Sequence, residues 1–151
     1  MARILANDGI DPIGKKLLED AGHTVDAQTV PQDQLVAALQ NYDGLTVRSA
    51  TKVRKELIDA CPSLSLIGRG GVGMDNIDVD YARSKGIAVV NTPAASSLSV
   101  AELVFAHLFT GVRFLQDANR KMPVEGGAKF NDLKKAYAKG VELRGKTIGI
   151  I

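Results

Sequence analysis

A chain of 151 residues, 45% hydrophobic and 24% charged, has the length and composition of a soluble globular protein with a real core. Its net charge of +2 excludes a strong field for nucleic acid or membrane surfaces. Its single cysteine, Cys61, excludes an internal disulfide and fits a reducing, cytoplasmic setting.

Met1 to Ala6 runs directly into a strand-like segment, without the basic start and long apolar core of a signal peptide. Ile4 to Asn7 reads as a first strand, ended by the Asn7-Asp8-Gly9 turn. Pro12 to Ala21 reads as a helix, with Ile13, Leu17 and Leu18 on one face and Gly22 as its stop. Thr24 to Ala27 is a short second strand. Pro31 opens a helix carrying Leu35, Val36 and Leu39, and Leu45 to Val47 is the third strand.

Arg48-Ser49-Ala50-Thr51-Lys52 follows that third strand. Arg48 offers a bidentate fork for a carboxylate or phosphate, and Ser49 a nearby hydroxyl and N–H. The plainer alternative is a surface arginine and a helix-capping serine. Glu56 to Ala60 reads as the next helix, and Leu64 to Ile67 as a fourth strand.

The chain is then expected to turn through Gly68, Gly70, Gly71 and Gly73, leaving backbone N–H groups open to an anion. Gly68-x-Gly70-x-x-Gly73 matches a dinucleotide fingerprint literally, but Met74 to Asp78 intervenes before any helix. Gly86 to Thr92 also holds no acidic residue for a ribose. The loop therefore reads as a binder of a small carboxylate or phosphate, with a structural glycine turn as the alternative. Asp78 is placed to cap a helix over Val79 to Lys85, and Ile87 to Val90 is the fifth strand. Five short apolar strands separated by helices imply an α/β fold with a parallel sheet covered on both faces, and ligands at its carboxyl edge.

Beyond Asn91 to Ser97, the Ser99-Val100-Ala101-Glu102 capping box opens a long helix to about Lys121, apolar around nearly its whole circumference. Such a helix needs a second domain or subunit to cover it. Leu98 to Leu115 is too interrupted, by Glu102, His107, Gly111 and Arg113, for a membrane span. His107, inside the helix, reads as a packing or interface residue, and His23 as a surface one. Pro123 to Arg144 reads as a polar, lysine-rich arm whose charges form a solvated helix face, not a nucleic-acid site. Residues 145–151 read as a new buried strand, so the end looks cut.

Val47 to Val53, Gly68 to Asp78, Asn91-Thr92-Pro93 and Ser99 to Leu103 together resemble the D-isomer-specific 2-hydroxyacid dehydrogenases, over essentially the whole chain and with the motifs in the right order. The resemblance implies a flavodoxin-like substrate domain over residues 1–96. Residues 97–151 would then begin a nucleotide-binding Rossmann domain, with its interface helix, arm and first strand at Thr147–Ile151. It implies NAD as cofactor and a small anionic 2-hydroxy acid as substrate, 3-phosphoglycerate being favoured. Arg48 and Ser49 would contact the acid, while Gly71, Val72 and Gly73 would offer it backbone N–H groups. Val72 and Val100 would lie by the cofactor. Ser96 stands where members often carry an asparagine, with shorter reach. No metal is implied, and the catalytic arginine, glutamate and histidine belong to segments beyond this chain, which alone is expected to be inactive. The 99–121 helix would pair with its symmetry mate in a homodimer.

Three other readings of the same features are a stand-alone module for an anionic metabolite, a dimerisation fragment, and a receiver-type signalling domain. Arg48 stands where a receiver requires its phosphate-accepting aspartate, which argues against the last.

Overall fold

The computed structural model describes residues 1–150, which separate into two compact units meeting in sequence between Ser96 and Ser97. In the first, short apolar segments alternate with helices: β1 Arg3–Ala6, α1 Pro12–Asp20, β2 Thr24–Asp26, α2 Leu35–Leu39, β3 Gly44–Val47, α3 Lys55–Ala60, β4 Leu66–Arg69, α4 Val79–Ser84 and β5 Ala88–Asn91. The five strands form one parallel sheet in the order β2-β1-β3-β4-β5. The order reverses between β1 and β3, the switch point at which doubly wound sheets open a crevice.

Alternation along each strand sorts the side chains into two layers. Leu5, Leu45, Val47, Ile67 and Val89 pack with Leu35 and Leu39 of α2, Leu57 and Ile58 of α3 and Ala82 of α4 in the main core. On the opposite face Ile4, Ala6 and Val25 meet only Ile10 and Leu18. Cover on that second face is therefore thinner than expected, and Val90 of β5 remains 53% exposed. Of the apolar residues of α1, Ile13 and Leu17 also stay exposed.

Several local expectations change with long-range context. Gly68 lies inside β4, not in the turn, paired in register with Thr46 and Val90. A Cβ there would stand 3.2 Å from Thr46 Cγ2, so the glycine answers to close packing across the sheet. The second helix starts at Leu35 because residues 32–34 form a turn. Asp11 caps α1, accepting from Ile13 N–H at 2.8 Å. Asp78 occupies the start of α4 without a side-chain capping bond there. Its carboxylate instead accepts from Lys55 N–H at 3.0 Å and Arg54 at 2.9 Å, at the start of α3. His23 is half-buried, its Nδ1 accepting from Ala2 N–H at 3.3 Å.

The second unit contains α5, Ser97–Val112, and α6, Leu115–Tyr137, with a 52° bend between them. One continuous helix from Ser99 to Lys121 is thus not what forms. Phe114 adopts a left-handed φ of 56°, which ends the first helix. Its ring lies 6.3 Å from that of Tyr137, whose hydroxyl donates to Asp117 at 3.0 Å. The helix starts at Ser97, so Ser99 sits within its first turn and makes no capping box. The polar arm is helical from Pro123 to Tyr137 and carries the i,i+4 pair Glu125–Lys129, while Asp117–Lys121 pairs in the turn of α6 before it. Residues 146–150 form no strand, since no neighbouring strand offers them a ladder. No residue of α5 is buried, and among the described residues no single helix is long and apolar enough to cross a membrane.

Leu45 is fully buried whereas Leu17 is 65% exposed. Leu45→Ala is expected to lower the urea-unfolding free energy by about 2–5 kcal/mol. Leu17→Ala should change it by no more than about 0.5 kcal/mol. Comparable losses from both would contradict the core assignment.

Candidate functional site

At the carboxyl edge of the sheet, the ends of β1, β3, β4 and β5 surround a cleft of about 350 Å³ whose lining includes Gly9, Asp11, Arg48, Arg69, Gly70 and Thr92. It lies at the switch point, where the chain leaves β1 and β3 toward opposite faces.

The loop after β3 has no regular structure of its own, so its backbone groups need partners from elsewhere. Asp8, just past β1, accepts from Arg48 N–H at 2.7 Å, Thr51 N–H at 3.1 Å and Thr51 Oγ1 at 2.6 Å. From the other side, Asn76 Nδ2 donates to the carbonyls of Arg48 at 2.8 Å and Thr51 at 2.7 Å. Asn7 Nδ2 donates to Thr51 Oγ1 at 2.8 Å and to Val30 O at 3.1 Å, while its Oδ1 accepts from Val30 N–H at 2.7 Å. Asn7, Thr51 and Asn76 are all buried. Burial by itself would raise the pKa of the Asp8 carboxyl, but the bonds from Thr51, Arg48 and Ala50 outweigh it and hold the group below its ordinary value.

The glycine-rich loop spans residues 70–78 before α4 begins. Gly70 N–H donates to Val47 O at 2.8 Å. Gly71 departs from expectation in one respect: its N–H turns back onto Arg69 O at 2.9 Å, so it does not point outward as a free donor. A Cβ at Gly71 would overlap the Arg69 guanidinium, which folds back to donate to Gly70 O at 2.9 Å. Val72 and Gly73 keep N–H groups without an acceptor among the described residues. The end of β5 pins the loop, with Thr92 N–H on Gly71 O at 3.2 Å and Asn91 Nδ2 on Val72 O at 2.8 Å.

Of the residues singled out in the sequence, Arg48 lines the cleft. Ser49 is exposed outside its lining, as are Val72 and Gly73 in the adjoining loop. Ser96 is exposed at the end of the first unit, and Val100 lies on α5 in the second. Arg69 lines the cleft beside Arg48, and neither forms a salt bridge among the described residues. Sequence reasoning left Asp8, Asn76 and Asn91 out of the site and noted Arg69 only as part of the anion-receptive glycine turn after the fourth strand. The only local signals were Asn7-Asp8-Gly9, read as a plain turn, and an arginine embedded among glycines.

The described residues do not fit the pyrophosphate of a dinucleotide. The loop does not open straight into a helix, and the helix it eventually meets, α4, has only 6 residues. No cluster of metal-ligating side chains occurs among the described residues. Burial raises the pKa of the Cys61 thiol, which argues against a reactive thiolate. His107 is exposed on α5.

The sequence profile of the D-isomer specific 2-hydroxyacid dehydrogenase catalytic domain matches residues 4–142. The D-3-phosphoglycerate dehydrogenase of Rattus norvegicus is 41% identical over 100% of this chain, which covers 27% of that protein. That of Methanocaldococcus jannaschii is 39% identical over 100% of the chain and 28% of its own length. An NAD+-bound 3-phosphoglycerate dehydrogenase from Entamoeba histolytica superposes with a TM-score of 0.62 at 29% identity, over 74% of this chain and 40% or less of that one, namely 39%. The chain thus spans little more than a quarter of the length of these two curated relatives.

The depressed Asp8 pKa sets a sign for pH dependence. A carboxyl whose folded pKa lies below its unfolded value of about 3.9 stabilises the fold fully above that value, and the contribution fades as pH falls toward the folded pKa. Asp8→Asn should therefore lower the urea midpoint at pH 7, with a gap from wild type that narrows on acidification through the carboxylate range. A gap of constant size would remove the Asp8 charge from the account.

Proposed function

The chain belongs to the D-isomer-specific 2-hydroxyacid dehydrogenases, and we propose that it is the acid-holding, N-terminal part of an NAD-dependent D-3-phosphoglycerate dehydrogenase. The complete protein would interconvert 3-phosphoglycerate and 3-phosphohydroxypyruvate, toward serine. The observation that carries this reading is a pair of arginines, Arg48 and Arg69, lining one cleft at the sheet's switch point without carboxylate partners among the described residues.

Such a pair suits a ligand with two acidic groups, because each guanidinium presents a fork of donors to a carboxylate or phosphate. The unpaired N–H groups of Val72 and Gly73 add donors in the adjoining loop. Gly71 contributes room for the Arg69 guanidinium instead of a donor of its own. In this reading Ser49 and Ser96 supply hydroxyls to the acid, and Val72 and Val100 are apolar neighbours of the nicotinamide. The pyrophosphate and the catalytic acid–base pair are left to segments outside the chain. The part played by these residues is to hold and orient the acid, which is itself a large share of catalysis.

A dimerisation role is compatible with this one and has its own support. On α5, Leu103, Phe105 and Phe109 are each about half-exposed at 58%, 49% and 50%, and the helix buries no residue. Burying a side chain of this size is worth about 1.5–3 kcal/mol. We propose that α5 pairs with a second copy about a two-fold axis.

Arg48→Ala in the complete dehydrogenase is expected to raise KM for 3-phosphoglycerate by about ten- to hundredfold, the loss of a charge-assisted pair. KM for NAD should move much less. An unchanged KM for the acid would remove Arg48 from the substrate site. For the 151-residue chain, light scattering at micromolar concentration should report a dimer or larger species. A monomeric mass would refute the pairing of α5.

A further inference from the structure

Arg48 is held in an unusual way for a residue on a loop. Its N–H is bound by Asp8 Oδ2 at 2.7 Å and its carbonyl by Asn76 Nδ2 at 2.8 Å. Thr51, at the other end of the turn, repeats the pattern, with its N–H on Asp8 Oδ2 at 3.1 Å and its carbonyl on Asn76 Nδ2 at 2.7 Å. One carboxylate and one amide thus serve four backbone groups of the same loop. They approach from different places, Asp8 from the end of β1 and Asn76 from the glycine-rich loop ahead of α4. Neither lines the cleft.

We infer that Asp8 and Asn76 are positioning residues for Arg48, fixing its peptide from both sides so that its guanidinium enters the cleft from one place. The inference rests on the reading of Arg48 as a ligand of the acid. A guanidinium on a long flexible stem reaches many positions, and what narrows them is the placement of its Cα. Small displacements of a ligand-holding group are costly to binding geometry. Asn76 makes no side-chain bond to Val72 or Gly73 of its own loop; its amide serves the Arg48 and Thr51 carbonyls alone.

A carboxylate so close to an anion site would repel the ligand if its charge were free. Here that charge is engaged by bonds from the Arg48 and Thr51 amides and the Thr51 hydroxyl, and Asp8 is not among the cleft-lining residues. The hydroxyl itself is oriented by Asn7 Nδ2 at 2.8 Å, which leaves Thr51 Oγ1 only Asp8 to donate to.

The test is a double-mutant cycle in the complete dehydrogenase, using Asp8→Asn and Asn76→Ala, each in the wild-type and the Arg48→Ala backgrounds. KM for 3-phosphoglycerate and for NAD is measured for all. In the wild-type background each positioning variant should raise the acid's KM about three- to tenfold, with KM for NAD unchanged. In the Arg48→Ala background that increment should vanish, because the variants act only through the missing side chain. An increment that persists there, an equal rise in KM for NAD, or an unchanged KM for the acid would each overturn the inference and leave the pair a purely structural role. If Asp8→Asn does not fold, Asn76→Ala carries the same comparison. Arg48→Ala alone separates the two layers: no effect of that single substitution defeats the reading of the site itself, whereas a large effect with additive double mutants defeats only the positioning role.

Discussion

Where β1 and β3 lie side by side, the chain leaves their carboxyl ends toward opposite faces of the sheet, and the gap so opened must still satisfy its backbone polar groups. Asn7, Asp8, Thr51 and Asn76 meet that requirement with side chains in place of regular secondary structure. Everything at the cleft depends on this knot. It lets the loop after β3 stay irregular without orphaned peptide groups, and irregular backbone is what brings an arginine to the mouth of a crevice. A helix begun directly after Val47 would have bonded its own peptides and left no reason for Asp8 or Asn76 to approach.

The knot also shows why the sheet was more legible than the site. Leu5, Leu45 and Ile67 are fully buried, and each sits in a short apolar run whose character is local. Arg48 was legible for a similar reason, since it directly follows such a run and strand ends are where ligands gather. Asp8 and Asn76 carry no local sign of their task, because their partners lie 40 and 28 residues away in sequence. Asp78 was misassigned on the same ground: its neighbours suggest a cap for α4, while its bonds go to Arg54 and Lys55. Gly68 was read as a turn because a glycine beside other glycines looks like one. Only the register with Thr46 and Val90 reveals that a side chain there would collide across the sheet.

In the second unit the misreadings have a different origin. Apolar periodicity records which residues avoid water, not where an axis bends, so it ran through Phe114 without notice. The break is fixed by a backbone in the left-handed region and by contacts made a full helix later, at Tyr137. The lysine-rich segment read as a solvated helix face is helical from Pro123 to Tyr137 except at Lys129, where the backbone leaves helical geometry. Residues 146–150 illustrate the converse. Strand propensity is largely a property of neighbours, and an apolar run without a ladder stays irregular.

Charge pairing within the first unit separates two kinds of arginine. Arg3 and Arg54 lie against carboxylates, at 2.8 Å from Asp26 and 2.9 Å from Asp78, and each ties one loop or strand to another. Arg48 and Arg69 line the cleft and have no such partner among the described residues. For Arg69 the arrangement extends into the backbone, because Gly71 leaves open the volume the guanidinium occupies and a carbonyl, not a carboxylate, accepts its bond. A carbonyl takes a hydrogen bond without neutralising the cation, so the positive charge remains available to a ligand. The nearest acidic group to Arg48's own peptide, Asp8, is meanwhile saturated by amide and hydroxyl donors. The same residues that give the loop its shape thus occupy the carboxylate of Asp8, while Asp11, the carboxylate in the cleft lining itself, accepts from Ile13 N–H at the start of α1.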